Sequence, residues 1–239
     1  MLGIGSVLGE SLRVYRLLWR RSLVAAALVY AVIDGALAVE LHARVGAQEI
    51  AASFLYLVLS TVGPVLVQAA LVVPVESLHA GERPRGMVAS VRRAGRRLKS
   101  LVAVVIVYTL GVFFGLLALI VPGVLAAARW SLMIPSVVVD ELSSEDARNR
   151  SRQLVTPHTG RVALIVLILT AITQVPHWIA SYALRGIAPN LAFSFAWSTL
   201  TAPFYAHALT VMYYRLADPE RPVIDEKARG WRSAWAGAR

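Results

Sequence analysis

Long runs of apolar residues are the feature that most constrains this chain. A helix needs roughly 20 mostly apolar residues to cross about 30 Å of hydrocarbon. Of the 239 residues, 57% are hydrophobic and 16% are charged, whereas soluble domains have about 45 to 50% and about 25%. An ordinary soluble domain is therefore excluded. We expect an all-α, polytopic integral membrane helical bundle with six spans, at residues 22–41, 51–75, 101–120, 124–139, 162–182 and 191–214.

The cations indicate how these spans are threaded. Short loops rich in Lys and Arg stay on the cytoplasmic side of a membrane. Apart from Arg44, Arg129 and Arg185, every Lys and Arg falls before span one, between spans two and three, between spans four and five, or after span six. We therefore expect a multi-pass protein of a cell membrane with both termini cytoplasmic. Residues 1–217 form one membrane domain and residues 218–239 a cytoplasmic tail, and the Arg-rich composition favours a bacterial inner membrane.

Three segments on the predicted cytoplasmic side have the pattern of surface helices. Their apolar residues recur at helical spacing over residues 7–20, 85–99 and 144–155. Basic amphipathic helices lie at the headgroup boundary and attract anionic lipid. We expect anionic membrane lipids, and not nucleic acid, to be the partner, because the cations fall where the rule for cytoplasmic loops places them. The residues predicted to face lipid are Arg13, Arg16, Arg20, Arg92, Arg93, Arg96 and Arg97.

The N-terminus admits a second interpretation. Arg20-Arg21, the apolar run after them and Ala36-Leu37-Ala38 have the order of a signal peptide with its cleavage site. Cleavage would leave five spans and an external N-terminus. We prefer the uncleaved span, because Asp34 just before that site suits a packed bundle better.

Four polar residues inside the predicted spans are the candidates for a site. A charge inside the bilayer costs about 2.5 to 3.5 kcal/mol on insertion scales and usually has a partner. Counting along the spans places Asp34 and Arg129 in the outer half of the membrane, where they could form a buried ion pair or bind backbone carbonyls and water separately. Gln174 and His177 enlarge this intramembrane polar cluster. Whether the cluster is structural or handles a proton, an ion or an anionic headgroup stays open.

Sequence patterns for catalysis are absent. There is no phosphate-binding loop, no zinc-protease motif and no nucleophile elbow, and the five histidines are too scattered for a local metal site. We expect no catalytic residues, no metal and no cofactor, and hence not an enzyme. Pro122 and Gly123 are predicted to turn a tight helical hairpin between spans three and four. Gly111 and Gly115 are predicted to pack against another span of the same chain.

One stretch of the sequence resembles a known family. Residues 121–135, Asp140-Glu141, Arg150-Ser151 and Gly160, together with the end of span six from Thr201 to Leu216, are similar to the membrane domain of glycerophosphoryl diester phosphodiesterases and its stand-alone six-span relatives. In that family catalysis belongs to a separate soluble barrel. The 23 residues after Leu216 are too few for such a domain. The resemblance therefore implies a membrane architecture without hydrolysis.

Two functions are compatible with these features. The first is a lipid-contacting scaffold or accessory subunit of a membrane enzyme or transporter, with a membrane protein or a second copy of this chain as an open choice of partner. The second is a small transporter or channel built on the polar cluster. A cavity that reaches the polar residues would favour the transporter, whereas a dry interior with the cluster fully paired would favour the scaffold.

Overall fold

The computed structural model describes residues 3–42, 46–221 and 223–224, and every regular element in these ranges is helical. The predicted all-α class is therefore confirmed. Most of the predicted tail at 218–239, and Arg44, lie outside the described residues. The helices are α1 (Ile4–His42), α2 (Ala47–His79), α3 (Met87–Arg96), α4 (Leu98–Ala118), α5 (Ile120–Trp130), α6 (Met133–Val139), α7 (Ser144–Val155), α8 (Thr159–Ala183) and α9 (Ile187–Ala217).

Five segments of the described chain are long and apolar enough to cross a membrane. They are Ile4–His42, Ala47–His79, Leu98–Ala118, Ile120–Val139 and Ser144–Ala183. The predicted sixth span, within α9, is not among them. Its apolar residues are diluted by polar ones such as His207, Thr210 and Tyr213, and these three side chains are buried inside the protein. A helix enclosed by its neighbours does not need the hydropathy of one that faces lipid.

The predicted surface helix at 7–20 is wrong as a separate element. Residues 7–20 and the span at 22–41 form the single helix α1. Val7, Val14 and Leu18 are buried in the main core, and Ser22 at the expected junction is hydrogen-bonded to His207 of α9 at 2.9 Å. The chain has no Gly or Pro between residues 10 and 34 to interrupt this helix.

The predicted hairpin turn also lies elsewhere. The chain reverses at Leu119, which has an extended backbone between α4 and α5. Pro122 and Gly123 fall inside the first turn of α5. Proline is tolerated there because the first four N–H groups of a helix have no partner within it. The glycines at 115 and 123 let α4 and α5 approach each other closely, since a Cβ at Gly115 would lie 2.9 Å from Gly123 Cα. The expected packing of Gly115 against another span is confirmed.

Span 124–139 is divided into two helices, α5 and α6. The helix is interrupted at Ser131 and Leu132, and the side chain of Ser151 on α7 satisfies both sides of the interruption. Its Oγ donates to the carbonyl of Arg129 at 2.7 Å and accepts from the N–H of Leu132 at 3.1 Å. The helix after span four therefore packs directly against the break.

The long helices form a ring. Going round it, α2 packs against α4, α4 against α5, α5 against α8, α8 against α9, and α9 against α2. Helix α1 lies outside the ring against α2 and α9, and α3 and α6 pack against α2 near its C-terminal end. The candidate site lies among these helices.

Candidate functional site

A polar cavity of ≈ 330 Å³ lies between α1, α2, α4, α8 and α9, near the middle of α8 and α9. We call it the central polar cavity. Five helices contribute side chains to its wall, so the site exists only in the assembled fold. The polar side chains that line it are Tyr30, Gln68, Tyr108, Thr170, Thr173, Gln174, His177, Ser198, Thr201 and Tyr205.

The hydrogen bonds that the described residues make in the wall leave the side-chain nitrogen of Gln68 without a partner. His177 Nε2 is 3.1 Å from Ser198 Oγ, and Thr201 donates to the carbonyl of Trp197 at 2.8 Å. By contrast, Gln68 Nε2 is buried and has no hydrogen-bond partner among the described residues. A buried polar group without a partner costs about 1 to 3 kcal/mol, so a ligand whose acceptor reached Gln68 Nε2 would remove this cost.

The wall contains no Asp, Glu, Lys or Arg among the described residues. A charged ligand would lose its hydration there without gaining a counter-charge, and burial of an unpaired ion is far more costly than burial of a hydrogen-bonded polar group. The cavity is therefore suited to uncharged polar groups.

Only two members of the predicted polar cluster reach the cavity. Gln174 and His177 line it, whereas Asp34 and Arg129 do not. Asp34 lies on α1, where Oδ1 accepts a 3.4 Å hydrogen bond from Ser194 of α9. The cluster is thus split between the central polar cavity and the α1 side of the ring.

The hypothesis that Asp34 pairs with Arg129 is wrong. Neither residue belongs to an ion pair within the described ranges. Asp34 is on α1, which packs against α2 and α9, while Arg129 is on α5, which packs against α4, α7 and α8. Counting residues along isolated spans gave similar depths, but it could not tell which helices are neighbours. The contact of Ser151 with the Arg129 carbonyl brings this residue close to α7.

Gln68, which lies about 16 Å before the C-terminal end of α2, was not among the predicted site residues. Tyr30 and Tyr108 were not singled out either. The signal for both was a lone polar side chain within an apolar run, which is costly in a membrane and therefore informative.

At the end of the bundle that carries most cations, some arginines are paired within the protein. Arg93 is 2.7 Å from Glu76 of α2 and donates to the carbonyl of Val138 at 3.3 Å, and only 14% of its side chain is exposed. Arg97 pairs with Glu141. Arg93 and Arg97 are thus bound by carboxylates of neighbouring segments, and their contact with lipid stays a prediction.

The other predicted lipid-facing cations are exposed. Arg92 and Arg96 of α3 lie at the surface, as do Arg13, Arg16 and Arg20 of α1. Arg92 and Arg96 border exposed apolar side chains, Val88 and Val91 of α3 and Leu98 at the start of α4, of which Val88 is 76% exposed. The opposite face of α3, with Ser90 and Ala94, is buried against the protein. Exposed apolar and basic residues on one helix are typical of contact with a membrane surface.

The described residues contain no group of three or more His, Asp or Glu that could hold a metal ion. Comparison of the chain with protein-family models, with curated proteins and with solved structures finds no match.

Proposed function

We propose that this chain is a six-span membrane protein that binds a small polar molecule in the central polar cavity, as a transporter or channel does. The observation that carries this proposal is the convergence of polar side chains from five helices on one cavity. Ligand sites are typically cavities of about 300 to 1,000 Å³ with a few convergent polar groups. A cavity that reaches the polar cluster favours a transporter over a scaffold, and this cavity reaches Gln174 and His177 but not Asp34 or Arg129.

The pairing of α9 with α1 supports α9 as the sixth span. The two helices run antiparallel, with contacts Asp34–Ser194 near one end, Ser22–His207 in the middle and Glu10–Arg215 near the other. Helix α9 has 31 residues, or about 46 Å of length. A helix that follows a candidate span over this distance crosses the same membrane.

Once α9 is taken as the sixth span, the positions of the cations indicate which side of the membrane each loop faces. With α9 as the sixth span, the N-terminal end of α1 and the C-terminal end of α9 lie on the side where Arg92, Arg96 and Arg13 are exposed, and the rule for basic loops makes this side cytoplasmic. The turn between α8 and α9 then faces outward.

The proposal is tested by purifying the protein from its host membrane and identifying the small molecules that remain bound, by mass spectrometry. We expect one polar compound at about one molecule per chain. Gln174→Leu should lower its occupancy at least fivefold by removing the cavity amide, while Gln153→Leu on the exposed surface of α7 should leave it unchanged. If no compound depends on Gln174, the proposed site is refuted.

A scaffold remains a second candidate because of the exposed face of α3. Val88, Val91 and Leu98 beside Arg92 and Arg96 would hold the cytoplasmic side against anionic lipid. The same purification tests this function. A recurring membrane-protein partner or enrichment of anionic lipid, without a cavity ligand, would favour the scaffold.

We also propose the relationship to the membrane domain of glycerophosphoryl diester phosphodiesterases. Several residues of that resemblance contact one another in the fold. Ser151 bonds Arg129 and Leu132 at the break in span four, and Asp140 accepts a 2.7 Å hydrogen bond from Tyr213 of α9. The motif is thus read as a set of structural contacts, and no hydrolytic activity is proposed from it.

A further inference from the structure

The central polar cavity has a mouth on the outer surface of α8. Gln174 lines the cavity and is itself exposed, and so is Thr170 one turn before it. A side chain that both lines a cavity and is exposed lies where the cavity opens. The mouth is therefore beside the middle of a long apolar helix and not at its end.

The surroundings of this mouth are apolar. On α8 the neighbouring side chains of Leu167 and Val175 are 47% and 44% exposed. On α4, which provides Tyr108 to the cavity, Ile106 and Leu110 are 52% and 49% exposed. Large apolar side chains exposed at mid-helix in a membrane protein face hydrocarbon.

The ring is loosely closed at this position. Within the described chain α4 and α8 do not pack extensively against each other, and α5 connects them. The core shared by α5 and α8 includes Ala128, Leu132 and Ile165, and its last α8 residue is Leu169. The cavity residues of α8 begin at Thr170, just beyond this packed part, so a lateral opening lies between α8 and the α4–α5 hairpin.

The chemistry of the wall limits the ligand. Its polar groups are hydroxyls, amides and an imidazole, and Gln68 Nε2 has no partner among the described residues. A volume of ≈ 330 Å³ corresponds to about ten water molecules at about 30 Å³ each, which is enough for one sugar ring. An anionic headgroup would lack a counter-charge here.

We propose that the ligand is the uncharged, hydroxyl-rich headgroup of a lipid that enters sideways from the bilayer between α4 and α8. The headgroup hydroxyls bond to Gln68 and Gln174, while the acyl chains stay outside the ring against Leu167 and Val175. This proposal rests on the proposed function, because it names the ligand class of the same cavity and adds its route.

The test uses the whole protein in phosphatidylcholine nanodiscs with three separate probes: monoglucosyl diacylglycerol, phosphatidylglycerol and free glucose. We expect saturable binding of the glucolipid, at least tenfold tighter than that of phosphatidylglycerol, and no binding of free glucose at the same concentration. Gln174→Leu should weaken glucolipid binding at least fivefold, and Gln153→Leu should not change it. Leucine at an exposed position of a membrane helix is compatible with insertion, so folding is preserved.

The other outcomes separate the two proposals. Binding of free glucose that depends on Gln174, without binding of the glucolipid, would keep the proposed function and overturn the lateral route. Equal or tighter binding of phosphatidylglycerol would overturn the uncharged ligand class. The protein could instead bind none of the three probes and carry a different compound from its host membrane that depends on Gln174. That result would overturn the lipid proposal and keep the proposed site.

Discussion

Replacement of Arg215 by alanine is expected to lower the free energy of unfolding by about 3 to 5 kcal/mol, the cost of breaking a buried ion pair from one side. Arg215 Nε is 2.7 Å from Glu10, whose side chain is only 3% exposed. Without the guanidinium, the carboxylate of Glu10 would remain buried with the backbone N–H of Val223, at 3.0 Å, as its other donor. The variant should therefore destabilise the packing of α1 against the C-terminal end of α9.

Unfolding of the purified protein in mixed micelles, followed by circular dichroism, measures this effect. Arg152→Ala is the matched control, because Arg152 is exposed on α7 and a surface substitution changes stability by about 0.5 kcal/mol or less. The double variant Glu10→Leu, Arg215→Leu should recover much of the loss, since it leaves no unpaired charge. A loss below about 1 kcal/mol in Arg215→Ala would show that the pair does not hold these helices together.

Replacement of Gly123 by alanine should destabilise the hairpin of α4 and α5 by about 1 to 3 kcal/mol, the usual cost of overpacking. A Cβ at this position would lie 2.5 Å from Leu116 Cδ2 and 2.7 Å from the backbone nitrogen of Leu116. Rotation of the Leu116 side chain removes the first clash, but only separation of the two helices removes the second. The methyl group therefore forces α4 and α5 apart.

The matched control is Gly35→Ala in α1. A Cβ at Gly35 meets no atom within 4 Å, and alanine is more favourable than glycine in a helix by roughly 0.5 to 1 kcal/mol. The same methyl group should thus raise the stability of the protein at residue 35 and lower it at residue 123, measured by the same unfolding experiment. If Gly35→Ala and Gly123→Ala both raised the stability, or both lowered it, the close contact of α4 and α5 would be contradicted.

Most of the helical architecture could be predicted from the sequence. Apolar runs of membrane-spanning length must satisfy their backbone groups internally, which makes them helices, and the predicted segment 144–155 coincides with α7. Helix α9, which was predicted as the sixth span, was the most informative exception. Its length was predicted, but its low hydropathy reflects burial against α1, α2 and α8, and such burial is a tertiary property.

The candidate site could be predicted from the sequence only in part. Gln174 and His177 were found because polar residues are conspicuous in an apolar helix, and the same signal was present for Gln68, Tyr30 and Tyr108. What the sequence could not provide was the order of helices around the ring. That order separates Asp34 from Arg129 and places Gln68 and Gln174 in the wall of one cavity.

We propose that the chain crosses the membrane with its basic side inward and its polar cavity opening within the bilayer. The chain has no cysteine, so single variants Gln48→Cys, Arg96→Cys and Gln174→Cys each carry one thiol for labelling in intact cells. We expect a membrane-impermeant maleimide to label Gln48→Cys from outside and to label Arg96→Cys only after permeabilisation. Only a lipid-soluble maleimide should label Gln174→Cys. Labelling of Arg96→Cys from outside, or of Gln174→Cys by the impermeant reagent, would contradict this proposal.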